Sequence, residues 1–291
     1  MAVYKTNFGV YRGELTPLWS RFLVLTRYAF GNVFRSRMFV AFYVLCFVMP
    51  FTGVLLIYLH HNVAALGFMN LPLDQLKEAL PIDAAFFRFG VDFQGGLCFL
   101  VAFFVGPALV APDLRNNGLA LYLSRPFTRS EYVLGKTAVL AILMSFITWI
   151  PGLLLFGFQA YLDGLDWLGG HWRIAWAIFA GSVIWIATLS LLALAVSAWV
   201  KWKPVARISL LVVYLLFIGF GLAVNEALDT WWGWLFSIST AVQNVWAGLF
   251  GLTVDNDLTM PFWAAWLTLG ACCTICLWLL SRRVRAYEVV R

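Results

Sequence analysis

Six apolar stretches, each long enough to cross a bilayer as a helix, constrain the fold of this chain more than any other feature. About 20 helical residues cross a hydrocarbon core of about 30 Å. Each stretch has to be helical, because an unpaired backbone group in lipid costs several kcal/mol. The sequence therefore predicts an all-α, polytopic membrane protein with six transmembrane helices. The stretches cover residues 38–59, 95–111, 136–160, 174–199, 205–224 and 261–280.

The overall composition agrees with this prediction. Hydrophobic residues make up 63% of the chain and charged residues 12%, whereas soluble domains average about 45–50% and about 25%. The net charge of +6 raises the alternative of nucleic-acid binding. No compact soluble domain is predicted that could carry a basic face, so we expect no nucleic-acid partner. The lipid bilayer is the expected surrounding, with the basic residues beside its headgroups.

The basic residues fall almost entirely on one side of the predicted membrane domain. Seventeen of the 20 Lys and Arg residues lie on the side of the two termini, and Lys77, Arg88 and Arg173 lie on the other. Lys and Arg near the ends of spans are retained in the cytoplasm. We therefore expect a multi-pass protein of the cell (inner or plasma) membrane with cytoplasmic N- and C-termini.

The chain divides into a cytoplasmic tail (1–37), the transmembrane domain (38–280) and a basic cytoplasmic tail (281–291). Within the first tail, residues 17–37 have the pattern of an amphipathic helix, with apolar and Arg-bearing sides. Such a helix is expected to lie in the membrane interface with its apolar side in the acyl boundary. It could be a passive anchor or a contact for a cytoplasmic partner. Its candidate interface residues are Trp19, Arg21, Phe22, Arg27, Phe30 and Arg35.

The segment 231–252, before the last span, is apolar enough to enter the membrane. A full span here would make seven and would move Arg282 and Arg283 to the outer side. Its tryptophans and polar interruptions favour interfacial or re-entrant helices. We therefore predict that this segment packs at the outer leaflet without crossing.

Residues that could ligate a metal do not form a convincing set. Cys272, Cys273 and Cys276 are clustered in the last span, but no His or carboxylate is expected at their depth, and an isolated Cys packs as a small apolar residue. His60 and His61 are adjacent at an outer end without matching ligands in the spans. We therefore predict no metal site and interpret the cysteines as packing residues.

The loop between the second and third spans (112–135) carries the most specific pattern, which extends over residues 113–136. Residues 115–123 have the composition of a short helix, and Ser124-Arg-Pro126 ends it. Thr128-x-x-Glu131 predicts a capping box, in which each side chain bonds to the other residue's backbone N–H. The third span therefore begins near Thr128. A short helix held between two spans in this way can transmit force from a soluble partner.

This loop resembles that of the permease subunits of ABC transporters in the type-2 exporter class. Those permeases carry, after the second span, a charged residue, Gly-Thr-Leu, a Leu-Leu-Ser-x-Pro turn, Ser/Thr-Arg and Gly-Lys. Leu119 departs from the usual Thr, and Asp113 stands where Glu is common. The entry to the first span, Phe34-Arg-Ser-Arg-Met-Phe39, is also similar. The matching loop residues are Asp113, Arg115, Gly118, Leu121, Leu123, Ser124, Pro126, Thr128, Arg129, Gly135 and Lys136.

The resemblance implies a permease that dimerises with a second copy or a homologous chain and recruits separate ABC ATP-binding subunits. The loop would be the coupling helix, seated in a groove of the ATPase. The implied contact residues are Arg115, Asn116, Asn117, Gly118, Leu119, Leu121, Tyr122, Leu123, Ser124, Arg125 and Pro126, with Thr128 and Glu131 as the helix cap.

We expect no nucleotide site and no bound cofactor on this chain, so that ATP and Mg would be held by the partner. Gly135-Lys136-Thr137 imitates the end of a phosphate-binding loop. However, that motif requires a glycine where Ser130 stands, and no strand is predicted before it.

Two other functions remain open. An ion-coupled secondary carrier usually buries ionisable residues at mid-membrane, and the centres of these six stretches contain none. A non-transporting structural membrane subunit is the other alternative.

Overall fold

The computed structural model describes residues 21–62, 81–116, 128–252 and 260–283. Of these residues, 89% are helical and none forms a strand. The helices in chain order are α1 (Arg21–Val33), α2 (Arg37–Leu45), α3 (Val48–His61), α4 (Ala84–Arg115), α5 (Arg129–Ile147), α6 (Trp149–Asp163), α7 (Leu165–Trp199), α8 (Lys203–Leu228), a 3-10 helix (Trp232–Phe236), α9 (Ile238–Phe250) and α10 (Phe262–Arg283).

Six helical segments in the described ranges are long and apolar enough to cross a membrane. Helices α4, α7, α8 and α10 are single spans. The first span consists of α2 and α3, and the third consists of α5 and α6, because each is interrupted once. The predicted fold class, an all-α membrane protein with six spans, is confirmed.

The second span is longer than its apolar stretch indicates. Helix α4 begins at Ala84 rather than at residue 95. Its start is capped by Asp83, whose Oδ1 accepts hydrogen bonds of 3.0 Å from the N–H groups of Ala85 and Phe86. A hydropathy criterion places the start later because the first turns carry polar and charged residues.

The third and fourth spans follow each other almost without a loop. Helix α6 ends at Asp163 and α7 begins at Leu165, so that only Gly164 separates them. Gly164 has φ = 95°, a left-handed conformation that glycine adopts without steric cost. The apolar stretches predict a connection of about 13 residues here, whereas the structure has a helical hairpin with a one-residue turn.

The segment 231–252 forms the 3-10 helix and α9. Helix α9 has 13 residues and is about 20 Å long, which is too short for a hydrocarbon core of about 30 Å. Arg173 fastens its end, donating hydrogen bonds to the carbonyls of Gly248 and Leu249 at 2.8 and 3.0 Å. Neither helix in this segment is long enough to be a seventh span.

Helix α7 forms the centre of the bundle and contacts α4, α5, α6, α8, α9 and α10. The first span and α8 lie at the periphery, and only 17% and 11% of their most apolar windows are buried, compared with 67% for α7. Between their ends, most of their exposed side chains are apolar, as expected for helices that face lipid or another membrane subunit.

Two tryptophans connect α7 to its neighbours at points where glycine allows close approach. The indole N–H of Trp185 donates to the carbonyl of Gly95 at 2.9 Å, and that of Trp246 donates to the carbonyl of Gly181 at 3.0 Å. The two rings meet edge to face, with centroids 6.1 Å apart. Helices α4, α7 and α9 are thereby joined in the interior.

Most basic helix ends meet at one end of the bundle, which we call the basic end. At this end the guanidinium of Arg115, the last residue of α4, lies 5.8 Å from the ring centroid of Trp202 in the α7–α8 turn. The guanidinium of Arg283, the last residue of α10, lies 5.5 Å from the ring of Trp199. Helix α5 packs against both α4 and α1, so the described residues at the two ends of the loop 113–136 lie here.

We expect a side chain at Gly106 to push α4 away from α7, because an added Cβ would lie 2.7 Å from the Cβ of Ala193. The substitution Gly106→Leu should lower the free energy of unfolding by about 1–3 kcal/mol, the usual cost of overpacking. Gly96→Leu, on the same helix, is the matched control, because an added Cβ there meets no atom within 4 Å. Unfolding of the purified chain in detergent measures both changes. Equal losses would contradict the close α4–α7 contact.

Candidate functional site

The candidate site is the base of the loop 113–136, where α4 ends and α5 begins. The structure describes Arg115 and Asn116 at its first side and resumes at Thr128. Helix α1 begins at Arg21, but the side chains of Arg21 and Phe22 are outside the described part. Other predicted contact residues that lie outside the described residues are Asn117, Gly118, Leu119, Leu121, Tyr122, Leu123, Ser124, Arg125 and Pro126 in the loop, and Trp19 before α1.

A buried ion pair closes the base of the loop. The ammonium of Lys136 lies 2.9 Å from Oδ2 of Asp113, and the hydroxyl of Tyr132 donates to the same oxygen at 2.8 Å. Lys136 and Tyr132 are 6% and 1% exposed. A buried ion pair is strongly destabilised when one partner is removed. The second and third spans are therefore fastened together at the two ends of the loop.

The capping box predicted at Thr128 is present. The Thr128 hydroxyl accepts a hydrogen bond from the N–H of Glu131, and the Glu131 carboxylate accepts one from the N–H of Thr128 at 2.6 Å. Helix α5 therefore begins at Arg129, two turns before Lys136. The cap sets the direction in which the chain enters the third span.

Helix α1 braces the same base. The hydroxyl of Thr26 donates to the carbonyl of Gly135 at 3.0 Å, and this contact is buried. Ala29 is also buried, whereas Leu23 remains exposed. The expected placement of the whole apolar side in lipid is therefore only partly right, because small residues on that side let α1 pack closely against α5.

The three predicted interface residues of α1 and its turn that have described side chains differ in their surroundings. Arg27 and Arg35 are exposed. Phe30 is half-buried, and its ring stacks on that of Phe34 with centroids 6.2 Å apart. Phe34 in turn meets Tyr43 of α2 edge to face at 5.9 Å. These aromatic contacts thus link α1 to α2 of the first span.

The first span is interrupted beside Gln94. Helix α2 ends at Leu45 and α3 begins at Val48. Pro50 has no N–H, so the carbonyl four residues before it, that of Cys46, lacks its helical partner. The buried side chain of Gln94 replaces that partner, donating to the Cys46 carbonyl at 3.1 Å. Proline and glutamine therefore act together to hold the break.

The third span is also interrupted, at Thr148, three residues before Pro151. The two breaks are neighbours, since Gln94, Pro50, Thr148 and Pro151 all line one cavity of about 220 Å³. Between the breaks and the basic end, the hydroxyl of Tyr43 bonds to the carbonyl of Leu143 at 2.8 Å. Helices α2 and α5 are thus joined to each other on the basic-end side of the two neighbouring breaks.

Two spans contain adjacent glycine and proline residues, and of these pairs Pro151-Gly152 lies beside an interruption whereas Gly106-Pro107 does not. Helix α4 continues through Pro107. Gly106 instead allows the close contact with Ala193 of α7. The role of Gln94 was missed, although a lone amide in an apolar helix next to proline-containing spans is a readable signal.

The ionisable groups at the end opposite the basic end are paired more than the sequence indicates. His61 is not unaccompanied, because its Nε2 lies 2.8 Å from Oδ1 of Asp163 at the end of α6. The amide of Gln159 also donates to Asp163. This contact joins the first and third spans beyond their breaks. Within the described ranges, no group of three or more His, Cys, Asp or Glu side chains is arranged to hold a metal ion.

We expect the Asp113–Lys136 pair to behave as a unit in unfolding experiments. Asp113→Leu leaves the buried ammonium of Lys136 uncompensated and should lower the free energy of unfolding by about 3–5 kcal/mol. Adding Lys136→Met to this variant should recover most of the loss, because an apolar pair of similar volume replaces a buried ion pair at little cost. Unfolding in detergent measures both variants. Losses that simply add would contradict the pairing.

A second pair of substitutions tests the break in the first span. Gln94→Leu leaves the Cys46 carbonyl without a partner and should cost about 1–3 kcal/mol of unfolding free energy. Pro50→Ala supplies the missing N–H, so the same Gln94→Leu change should cost less in a Pro50→Ala background. The same unfolding measurement gives the coupling between the two positions. An equal cost in both backgrounds would contradict the assigned partners.

No model of a known protein family matches this chain, and no curated protein matches it. The function therefore has to be inferred from the membrane topology and from the contacts that hold the base of the loop.

Proposed function

We propose that this chain is the membrane-spanning permease subunit of an ATP-driven ABC transporter, working as an exporter. It would form the translocation path and couple to a separate ATP-binding subunit through the loop 113–136. This proposal rests mainly on the contact of the buried side chains of Lys136 and Tyr132 with Asp113. A force applied to the loop at this point reaches the second and third spans together.

The brace formed by α1 supports the same role. Thr26 holds the backbone at Gly135, which directly precedes the lysine of the ion pair. A partner that contacts both α1 and the loop would therefore press on one connected unit. In coupling of this kind, the differential free energy between two states is typically about 1–3 kcal/mol.

The proposed orientation places the basic end in the cytoplasm of the cell membrane. The excess of Lys and Arg at this end supports it, because such residues near span ends are retained on the cytoplasmic side. An ATP-binding subunit works where ATP is present, so the loop and the basic end have to share that side.

ATP hydrolysis is assigned to the partner. The ammonium of Lys136, the lysine of the motif that imitates a phosphate-binding loop, is committed to Asp113. Lys136 also lies inside α5 rather than at a helix start, whereas a phosphate loop precedes its helix. Both observations support a permease without its own nucleotide site.

A second permease copy, or a homologous chain, would complete the path. The peripheral position of the first span and of α8 supports this part of the proposal, because both present apolar side chains to the outside. Rocking of the spans about the breaks at Cys46 and Thr148 would open and close the path between two such subunits.

The test begins with gentle detergent extraction from the native membrane. An ATP-binding protein should co-purify with the chain, and the complex should hydrolyse ATP. The substitutions Gly118→Asp and Leu121→Asp together should uncouple this hydrolysis from transport, because they place charge in the expected groove contact, while the chain still inserts. The rate of hydrolysis and the amount of retained partner are measured in the same preparation.

Ser130→Asp is the matched control, since it adds a carboxylate at the start of α5, where the helix dipole favours it, outside the expected contact. Equal behaviour of the loop variant and this control would contradict the coupling role. Labelling of Asn117→Cys by a membrane-impermeant reagent in intact cells would contradict the orientation. Transport by the isolated chain under a proton gradient would instead favour an ion-coupled carrier, and the absence of any ATPase or transport would favour a structural subunit.

A further inference from the structure

An apolar groove lies between α7, α8 and α10 and ends at the 3-10 helix. We call it the α8–α10 groove, and its volume is about 680 Å³. Among the described residues that line it, side-chain polar groups come only from the hydroxyl of Thr268, the thiols of Cys272 and Cys276 and the indole of Trp199. A lining of this kind excludes a polar ligand and favours a hydrocarbon chain.

The length of the groove matches one leaflet of a bilayer. Along α10 it extends from Leu267 to Leu279, which is about 18 Å at the helical rise per residue. Half of the hydrocarbon core is about 15 Å. An extended acyl chain entering from the leaflet at the basic end would therefore reach the far end of the groove.

The groove opens sideways, toward the place of the surrounding lipid. Its rims are formed by exposed apolar residues, Phe217 on α8 and Leu267 and Ile275 on α10. A lipid could enter from the bilayer without crossing the protein.

Cations surround the groove at the basic end. Trp199 lines the groove and also lies under the guanidinium of Arg283, 5.5 Å away. Lys201 lies in the α7–α8 turn, Lys203 is the first residue of α8, and both are exposed. Among the described residues, none of these three cations forms an ion pair with a carboxylate. An aromatic ring at headgroup level beside basic residues is suited to a phosphate group.

We propose that the α8–α10 groove binds a phospholipid with an anionic headgroup. One acyl chain occupies the groove, and the phosphate meets Arg283 and Lys201. The occupant is a lipid rather than a second copy of this chain because of charge. A second copy bound two-fold through this same groove would bring its own Arg283 and Lys201 next to these cations, whereas an anionic headgroup neutralises them. This inference does not depend on the transport proposal.

The test uses the purified full-length chain and native mass spectrometry with two lipids of equal chain length, phosphatidylglycerol and phosphatidylcholine. We expect the chain to retain phosphatidylglycerol preferentially. Each basic side chain near a membrane surface strengthens binding of anionic lipid by about fivefold. Arg283→Gln together with Lys201→Gln should therefore weaken phosphatidylglycerol binding by about 25-fold and phosphatidylcholine binding much less, because the choline cation of phosphatidylcholine offsets its phosphate charge. Arg37→Gln, at the basic end but away from the groove, should have no such effect.

Ala271→Trp tests the groove itself. Ala271 lies on the groove wall and is exposed, so a large side chain can fill the space without entering the core. Both lipids should be lost from this variant. Gly270→Trp is the matched control, since Gly270 points away from the groove and has no atom within 4 Å of an added Cβ.

Equal retention of lipid by the two tryptophan variants would overturn the proposal, as would equal binding of both lipids to the unsubstituted chain. A change of oligomeric state in Ala271→Trp without loss of lipid would assign the groove to a second copy instead. Should Ala271→Trp fail to fold, the substitutions of Arg283 and Lys201 decide the question, because a chain that keeps its lipid preference without these cations contradicts the assigned headgroup contact.

Discussion

The helices of this protein approach closely where a buried side-chain donor on one helix forms a hydrogen bond with a backbone carbonyl of another element. In a hydrocarbon environment each unpaired carbonyl or amide costs several kcal/mol. Trp185, Trp246 and Gln94 each donate to a carbonyl of another element. Glycines remove the side chain that would otherwise keep the two backbones apart, as at Gly181 beside the indole of Trp246. The order of helices around α7 depends on these cross-helix bonds as much as on apolar packing.

The number of spans, the cap at Thr128 and the short helices of 231–252 could be predicted from the sequence, because each has a local signature in hydropathy or residue spacing. The helix boundaries on the side of the bundle opposite the basic end could not be predicted from the sequence. There charged residues such as Arg88, Asp92 and Asp166 interrupt the first few turns of α4 and α7, and they lower the mean hydropathy of these turns. The wrong expectation for His61 has a different cause, since Asp163 is about 100 residues away in the chain and only the fold brings them together.

At the base of the loop, too, local features could be predicted from the sequence and long-range contacts could not. Asp113 and Lys136 were both identified within the motif, but no pattern in one dimension indicates that they touch. Their ion pair exists because α4 and α5 run antiparallel and leave the bundle side by side. The contact of Thr26 with Gly135 likewise joins residues that are 109 positions apart in the chain, and the amphipathic pattern of α1 does not indicate it. The residues of the motif could therefore be identified from the sequence, whereas the contacts between them could not.

The one-residue turn at Gly164 has a mechanical consequence. Because only Gly164 separates α6 from α7, the half of the third span that is farther from the basic end is stiffly coupled to the central helix. The other half, α5, ends at the discontinuity at Thr148 and is held against α4 and α1. A force applied to the loop would therefore rotate α5 about a hinge at Thr148, while the α6–α7 hairpin stays in place.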